Sequence, residues 1–194
     1  AHIRKLLPVE QLLLAGTYGI EMLLPDGSLR SVLPVDQVRP ILDNLLLLWQ
    51  ALIANSNGYY LEDKGWTLAL HGRFADPLEV QAIMGAAVAA AKSLKPGPKF
   101  RLMQGDRFLE LSPIAANKAV AVQWVLDEMT PSDALPIYIG DDDKDEEAFA
   151  PIMTAGGYAI RVASGSVETN AQYRLNDPHQ VREWLNELLA TRKL

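Results

Sequence analysis

Two periods of apolar residues run through this chain and divide it into elements. Between residues 35 and 54, Val38, Ile41, Leu42, Leu45, Leu48, Trp49 and Leu52 recur at helical spacing, which predicts an amphipathic helix ended at Asn55 to Gly58. Strand-like runs follow at 59–62 and 67–71, separated by Asp63-Lys64-Gly65-Trp66. Asp76-Pro77 caps an Ala-rich helix expected over 78–93, whose small side chains suit close packing on a sheet. Lys95-Pro96-Gly97-Pro98 breaks it, and strands over 100–103 and 107–111 are expected to meet at the turn Gln104-Gly105-Asp106. The order is helix, two strands, helix, two strands. Such an αββαββ repeat predicts an antiparallel sheet with both helices on one face.

On either side of this module the pattern differs. Residues 1–8 read as the tail of a helix, and the apolar run Leu12-Leu13-Leu14-Ala15 ends in Gly16-Thr17-Tyr18-Gly19. Two glycines around two polar residues let a backbone approach a ligand closely; a plain strand-ending turn is an equal reading. Apolar runs at 20–24 and 29–33 flank Pro25-Asp26-Gly27-Ser28, a hairpin signal. After Ser112-Pro113 come a helix over 117–129, a strand over 137–140, a helix over 145–154, a strand over 158–162, an extended piece at 173–175 and a last helix over 178–191. Alternating strands and helices imply a parallel sheet. The expected organisation is therefore a parallel-sheet core formed by 1–33 and 113–194, with 34–112 inserted as a separate module.

Composition narrows the functional classes. The 194 residues suffice for one core plus a compact second module, and 49% hydrophobic content is ordinary for a globular chain. A net charge of -6 argues against a nucleic-acid partner held by phosphate neutralisation. With no cysteine there are no disulfides or thiolate metal sites, which fits a reducing compartment and gives a cytoplasmic expectation. The longest apolar stretch, 45–54, is interrupted by Gln50 and too short to span a bilayer, so neither a membrane partner nor a signal segment is expected.

The chemistry concentrates at Gly140-Asp141-Asp142-Asp143-Lys144-Asp145-Glu146-Glu147, directly after the apolar run Leu135-Pro136-Ile137-Tyr138-Ile139. Carboxylates at the carboxyl end of a buried parallel strand point into the crevice where open α/β sheets bind ligands, and hard oxygen ligands there suit Mg²⁺. The plainer reading is an acid-rich first helical turn favoured by the helix dipole. A helix cap needs no buried strand feeding it, and that favours the metal.

Several stretches together carry a family resemblance. Gly140-Asp141-Asp142 with Asp145-Glu146 and Phe149, Leu61-Glu62-Asp63-Lys64-Gly65, Gly16-Thr17-Tyr18-Gly19, Asn117-Lys118 opening a helix, and Val167-Glu168-Thr169-Asn170-Ala171-Gln172-Tyr173 occur in order. The chain resembles the haloacid-dehalogenase (HAD) superfamily of phosphatases and, within it, the trehalose-6-phosphate phosphatases, over nearly its whole length. The resemblance implies an α/β fold with a HAD-like Rossmannoid core and an inserted αββαββ cap domain. It also implies Mg²⁺-dependent hydrolysis of a sugar phosphate, most often trehalose 6-phosphate, through an aspartyl-phosphate. On the matching motifs Asp141 is expected to ligate the metal directly, Asp145 through water, and Asp142 to assist. Lys118 is expected to neutralise the phosphate and hold the nucleophile. Glu62, Lys64 and Glu110 are the expected sugar contacts on the cap, with Gly16 and Tyr18 also on the substrate. Glu62 and Lys64 share one face of a strand end, as period two requires, with Asp63 pointing away.

Some family features have no counterpart. The Asp-x-Asp-Gly-Thr motif that carries the nucleophile is not in the sequence, nor is the Ser or Thr motif of the following strand; the only early Asp-Gly, Asp26-Gly27, belongs to the hairpin. The core is therefore expected to lack its first two strands, and the chain to be part of a longer polypeptide or to be completed by another segment or subunit, such as a synthase domain. Lys144 stands where the family usually has Thr, Tyr18 where it often has His, and Ser112 where a basic residue is common. These bear on the substrate more than on the reaction class and leave open a related one, mannosyl-3-phosphoglycerate or sucrose 6-phosphate; a separate alternative is an inactive binding or regulatory module.

Overall fold

A computed structural model describes residues 2–191. The chain forms two compact units that meet in sequence between Ala116 and Asn117.

The first unit begins with the short helix α1 (His2–Leu6) and the strands β1 (Leu14–Gly16), β2 (Glu21–Leu23) and β3 (Leu29–Ser31). These strands form an antiparallel meander in the order β1-β2-β3. The chain reverses between β1 and β2 through Thr17, Tyr18 and Gly19, all at positive φ (48°, 56° and 87°). For a β-branched residue such as Thr17 this backbone is an outlier, and each such residue costs on the order of 1–3 kcal/mol. The expected hairpin turn at 25–28 is present, with Asp26 accepting from the Ser28 amide and hydroxyl.

The αββαββ order follows in the same unit as α2 (Arg39–Ile53), β4 (Tyr60–Asp63), β5 (Leu68–His71), α3 (Val80–Ser93), β6 (Phe100–Gly105) and β7 (Phe108–Pro113). The strands pair antiparallel in the order β4-β5-β7-β6. Alternation sorts them into two faces. Leu68, Leu70, Leu109 and Leu111 are fully buried against Val38, Leu42, Leu45, Trp49, Ala87 and Ala91 from the helical side. Trp49 buries its ring and donates Nε1–H to the Ala87 carbonyl at 3.0 Å, which ties α2 to α3. The opposite face carries Tyr60, Glu62, Ala69, His71, Phe108 and Glu110, placed side by side by the pairings Tyr60 with His71, His71 with Phe108, Glu62 with Ala69 and Ala69 with Glu110.

Two local expectations shift. Leu48, placed on the buried stripe of α2, is 40% exposed, because the contact seam follows Val38, Leu42, Leu45 and Trp49. The β6–β7 turn is Asp106-Arg107, since Gly105 pairs with Phe108. Arg107, the second residue of that loop, has a positive φ (51°).

The second unit alternates α4 (Lys118–Met129), β8 (Ile137–Gly140), α5 (Glu146–Thr154), β9 (Tyr158–Val162), β10 (Tyr173–Leu175) and α6 (Pro178–Thr191). Its sheet is parallel, in the order β10-β9-β8. Ala148, Phe149 and Ile152 of α5 and Ala159 and Ile160 of β9 are buried. Among the described residues no helix is long and apolar enough to cross a membrane.

Trp49 fills the seam between the helices and the four-stranded sheet, so Trp49→Ala is expected to lower unfolding free energy by about 3–5 kcal/mol. Leu48→Ala, one position away, is expected to cost less than about 1 kcal/mol. Urea denaturation of both variants measures the contrast; equal losses would contradict the placement of the seam.

Candidate active site

In the second unit the acidic stretch turns sharply after β8. A 3₁₀ turn, Asp143–Asp145, leads into α5, and the two carboxylates at its ends cap it reciprocally. Asp142 accepts from the Lys144 amide at 3.0 Å, while Asp145 Oδ2 accepts from the Asp142 amide at 2.9 Å. The other oxygen, Asp145 Oδ1, accepts from Lys118 Nζ at 2.6 Å and from the Tyr138 hydroxyl at 2.7 Å. Asn117 caps α4 through the Ala119 and Val120 amides and so places Lys118 at the first position of the helix. Gly140 is required by this packing, since a Cβ there would lie 2.4 Å from Cβ and Cγ of Asp145.

Asp145 is 4% exposed. Burial pushes its carboxyl pKa up, but the Lys118 ion pair, the Asp142 amide and the Tyr138 hydroxyl outweigh that and hold it below the ordinary Asp value of 3.8. Burial, and then the Asp145 carboxylate, push the Tyr138 hydroxyl strongly up, so it remains a donor.

The three carboxylates expected at a metal thus have different surroundings. Asp145 is committed to three donors, Asp142 to the cap, and Asp141 is exposed and lines a cleft of about 770 Å³ at the carboxyl ends of β8 and β9, with Ser164, Asn176 and Asp177. Among the described residues no three acidic or His side chains converge as a metal cluster. The donor chemistry still fits Mg²⁺, which keeps several waters and is usually held by one or two carboxylates together with substrate phosphate.

A second brace holds this loop from behind. Arg161 of β9, 4% exposed, donates to the Asp142 carbonyl and to Asp143 Oδ1 at 3.1 Å. It also faces Glu146 Oε1 at 3.6 Å. Glu146 accepts from the Thr169 hydroxyl at 2.6 Å and from the Asn170 amide at 2.8 Å. Burial raises the Glu146 pKa, and these hydrogen bonds with Arg161 more than reverse it. Arg161, Glu146 and Tyr138 are absent from the sequence-based site. Arg161 was signalled only as a charge inside the apolar strand run 158–162, while Glu146 and Tyr138 lay within the acidic stretch and the apolar run before it without being assigned a role.

In the first unit the residues expected on the sugar lie together. Glu110 is fully buried, and its Oε2 accepts from the Tyr18 hydroxyl at 3.1 Å and lies 3.4 Å from Lys64 Nζ. Lys64 Nζ is also 3.5 Å from Glu62 Oε2 and sits 5.8 Å from the centre of the Tyr18 ring. Asp63 points to the helical side, where it accepts from Arg39 at 2.8 Å. Gly16 stands at the end of β1, and a Cβ there would meet only the Glu21 carbonyl at 3.9 Å, so internal packing does not demand the glycine.

Comparison with known proteins first defines the class. The fold is that of a crystal structure described as a trehalose-6-phosphate phosphatase related protein, with a TM-score of 0.78 at 20% identity over 99% of this chain and 78% of that one. The C-terminal domain of Candida albicans trehalose-6-phosphate phosphatase has the same fold, with a TM-score of 0.73 at 20% identity over 96% of this chain and 73% of that one. The expected HAD-like α/β fold is therefore present. The trehalose-phosphatase family profile matches residues 2–179, and the chain belongs to that family. It is 30% identical over 98% of its length to a probable trehalose-phosphate phosphatase 4 of Oryza sativa subsp. japonica, covering 53% of that protein. It is 32% identical over 92% of its length to a probable trehalose-phosphate phosphatase C of Arabidopsis thaliana, covering 58% of that protein. The chain thus spans about half the length of these curated relatives.

Because the Asp145 pKa is depressed in the folded protein, its contribution to stability is complete above pH 3.8 and is lost as pH falls through the lowered value. Lys118→Met is expected to raise the Asp145 midpoint, read from side-chain carboxyl ¹³C shifts, and to move acid unfolding to higher pH. An unchanged midpoint would show that the ion pair does not set the titration.

Proposed function

We propose that this chain supplies the metal-holding and sugar-holding parts of a Mg²⁺-dependent phosphatase that converts trehalose 6-phosphate to trehalose and phosphate. The observation that carries it is the Lys118–Asp145 pair, 2.6 Å apart, beside Asp141 at the carboxyl end of β8. Family membership supports the reaction class. In this reading Asp141 ligates Mg²⁺, Asp145 acts through Lys118 and through water, and Asp142 shapes the loop. Bound Mg²⁺ supplies positive charge that orients and neutralises the phosphoryl group. Lys118 then has two tasks: its ammonium group is held by Asp145 and presents positive charge to phosphate oxygens.

The sugar is assigned to the face that carries Glu62, Lys64 and Glu110, with Tyr18 and the backbone at Gly16 beside it. Sugar hydroxyls bind well to charged partners because charge-assisted hydrogen bonds are about twice as strong as neutral ones. Buried Glu110 orients Lys64, and Glu62 stands at the more exposed side. Residues 34–112 act as the cap, and 1–33 with 113–194 as core. None of these residues is assigned as nucleophile, since the Asp-x-Asp-Gly-Thr motif has no counterpart in the sequence. A cytoplasmic setting and a synthase domain as partner complete the reading.

The test is phosphate release from a panel of sugar phosphates by the polypeptide that carries this sequence. Trehalose 6-phosphate is expected to be preferred, chelation of divalent cations to abolish release, and Asp141→Asn or Lys118→Ala to lower kcat by about 10²–10³-fold. Preference for a different sugar phosphate would overturn the substrate, and trehalose binding without any phosphate release would make the protein a binding module.

A further inference from the structure

The sugar-holding face contains a residue that neither spacing nor resemblance picked out. On the face of the cap sheet opposite its helices, Tyr60, His71 and Phe108 stand side by side on β4, β5 and β7. The His71 ring stacks on Tyr60 with centroids 4.4 Å apart and planes 5° from parallel. Phe108 contacts it from the other strand at 5.1 Å and 58°. Two aromatic neighbours therefore fix the imidazole plane, and its Nε2 lies 3.1 Å from Glu62 Oε2.

We infer that His71 is a positioning residue for the sugar site, acting by holding the Glu62 carboxylate in one orientation. This rests on the reading of Glu62, Lys64 and Glu110 as sugar contacts and goes beyond it. Glu62 needs such a partner. Its side chain is 48% exposed on an edge strand, and a long exposed carboxylate loses considerable rotamer freedom when it binds a ligand. Lys64 alone fixes it weakly, since its ammonium lies 3.5 Å away and is shared with Glu110 at 3.4 Å. The closer contact is to His71, whose ring the stack prevents from turning. Both contacts fall on Oε2, which leaves Oε1 as the oxygen assigned to a sugar hydroxyl. Restricting a binding group in its bound orientation before the ligand arrives raises affinity without adding a ligand contact. In this pair the His71 Nε2–H donates, since a carboxylate oxygen can only accept.

The experiment is a calorimetric titration of the polypeptide that carries this sequence with trehalose, comparing wild type, His71→Phe, His71→Gln, Glu62→Gln, Glu110→Gln and the double variant His71→Phe with Glu62→Gln. Phe keeps an aromatic ring between Tyr60 and Phe108 but removes the donor, and Gln keeps a donor but removes the ring. His71→Phe is expected to bind about tenfold more weakly, as for losing one hydrogen bond to a charged group, with unchanged thermal melting. His71→Gln is expected to recover part of that loss. The double variant is expected to bind no more weakly than Glu62→Gln alone, because His71 acts only through that carboxylate. If His71→Phe binds as wild type does while Glu62→Gln and Glu110→Gln are weakened, this inference falls and the sugar-site reading stands. Losses that simply add in the double variant would likewise overturn it, since they mean that His71 does not work through Glu62. If wild type does not bind trehalose, or neither Glu→Gln variant matters, the sugar-site reading itself falls and takes the inference with it.

Discussion

A buried carboxylate must be matched by donors or it costs several kcal/mol, and Asp145 is matched on every side. Lys118 arrives from the first turn of α4, Tyr138 from within β8 and the Asp142 amide from the turn itself. These three contacts fix the helix, the strand and the loop relative to one another. The remaining features follow from that constraint. Gly140 is glycine because the Asp145 side chain occupies the place of a Cβ. Asp141, the residue next to that glycine, is exposed to the cleft. Lys118 is held at the end of a helix where the dipole does not favour a cation, and the ion pair compensates for that.

The first unit solves a similar problem differently. Glu110 is a carboxylate in the middle of a β-sheet face, directly across from Ala69, whose small side chain leaves room for it. Its charge is answered by Tyr18, reached through a backbone at positive φ, and by Lys64 from the turn after β4. Strain in the Thr17–Tyr18 backbone is thus offset by a hydrogen bond to a buried charge. In both units the acidic group that is most buried gathers the donors around it, and Asp141 and Glu62 remain the more exposed acids.

Most elements were legible in the sequence. The αββαββ order, the parallel α/β tail, the 25–28 hairpin and the strand ending at Gly140 each follow from a local period and a local break. The misjudged details are also local. Leu48 fits the helical period but lies off the seam, because helix direction is set by what Trp49 packs against. The β6–β7 turn moved because the register with β7, not the Gly in the sequence, decides which two residues are left unpaired.

The site separates along the same line. Residue types and short spacings singled out the acidic turn with Asp141, Asp142 and Asp145 and the glycine turn with Gly16 and Tyr18, whereas Lys118, Glu62, Lys64 and Glu110 were expected only from the family resemblance. Pairing was not legible. Lys118 meets Asp145 across 27 positions and Tyr18 meets Glu110 across 92, and no periodicity spans such gaps. Arg161, Glu146, Tyr138 and His71 gain their importance only from what lies opposite them. The reason is that burial and hydrogen bonding are properties of neighbours in space. A chain announces its helices and strands through its own spacing, but which charge is buried, and against which donor, is settled when the sheets close.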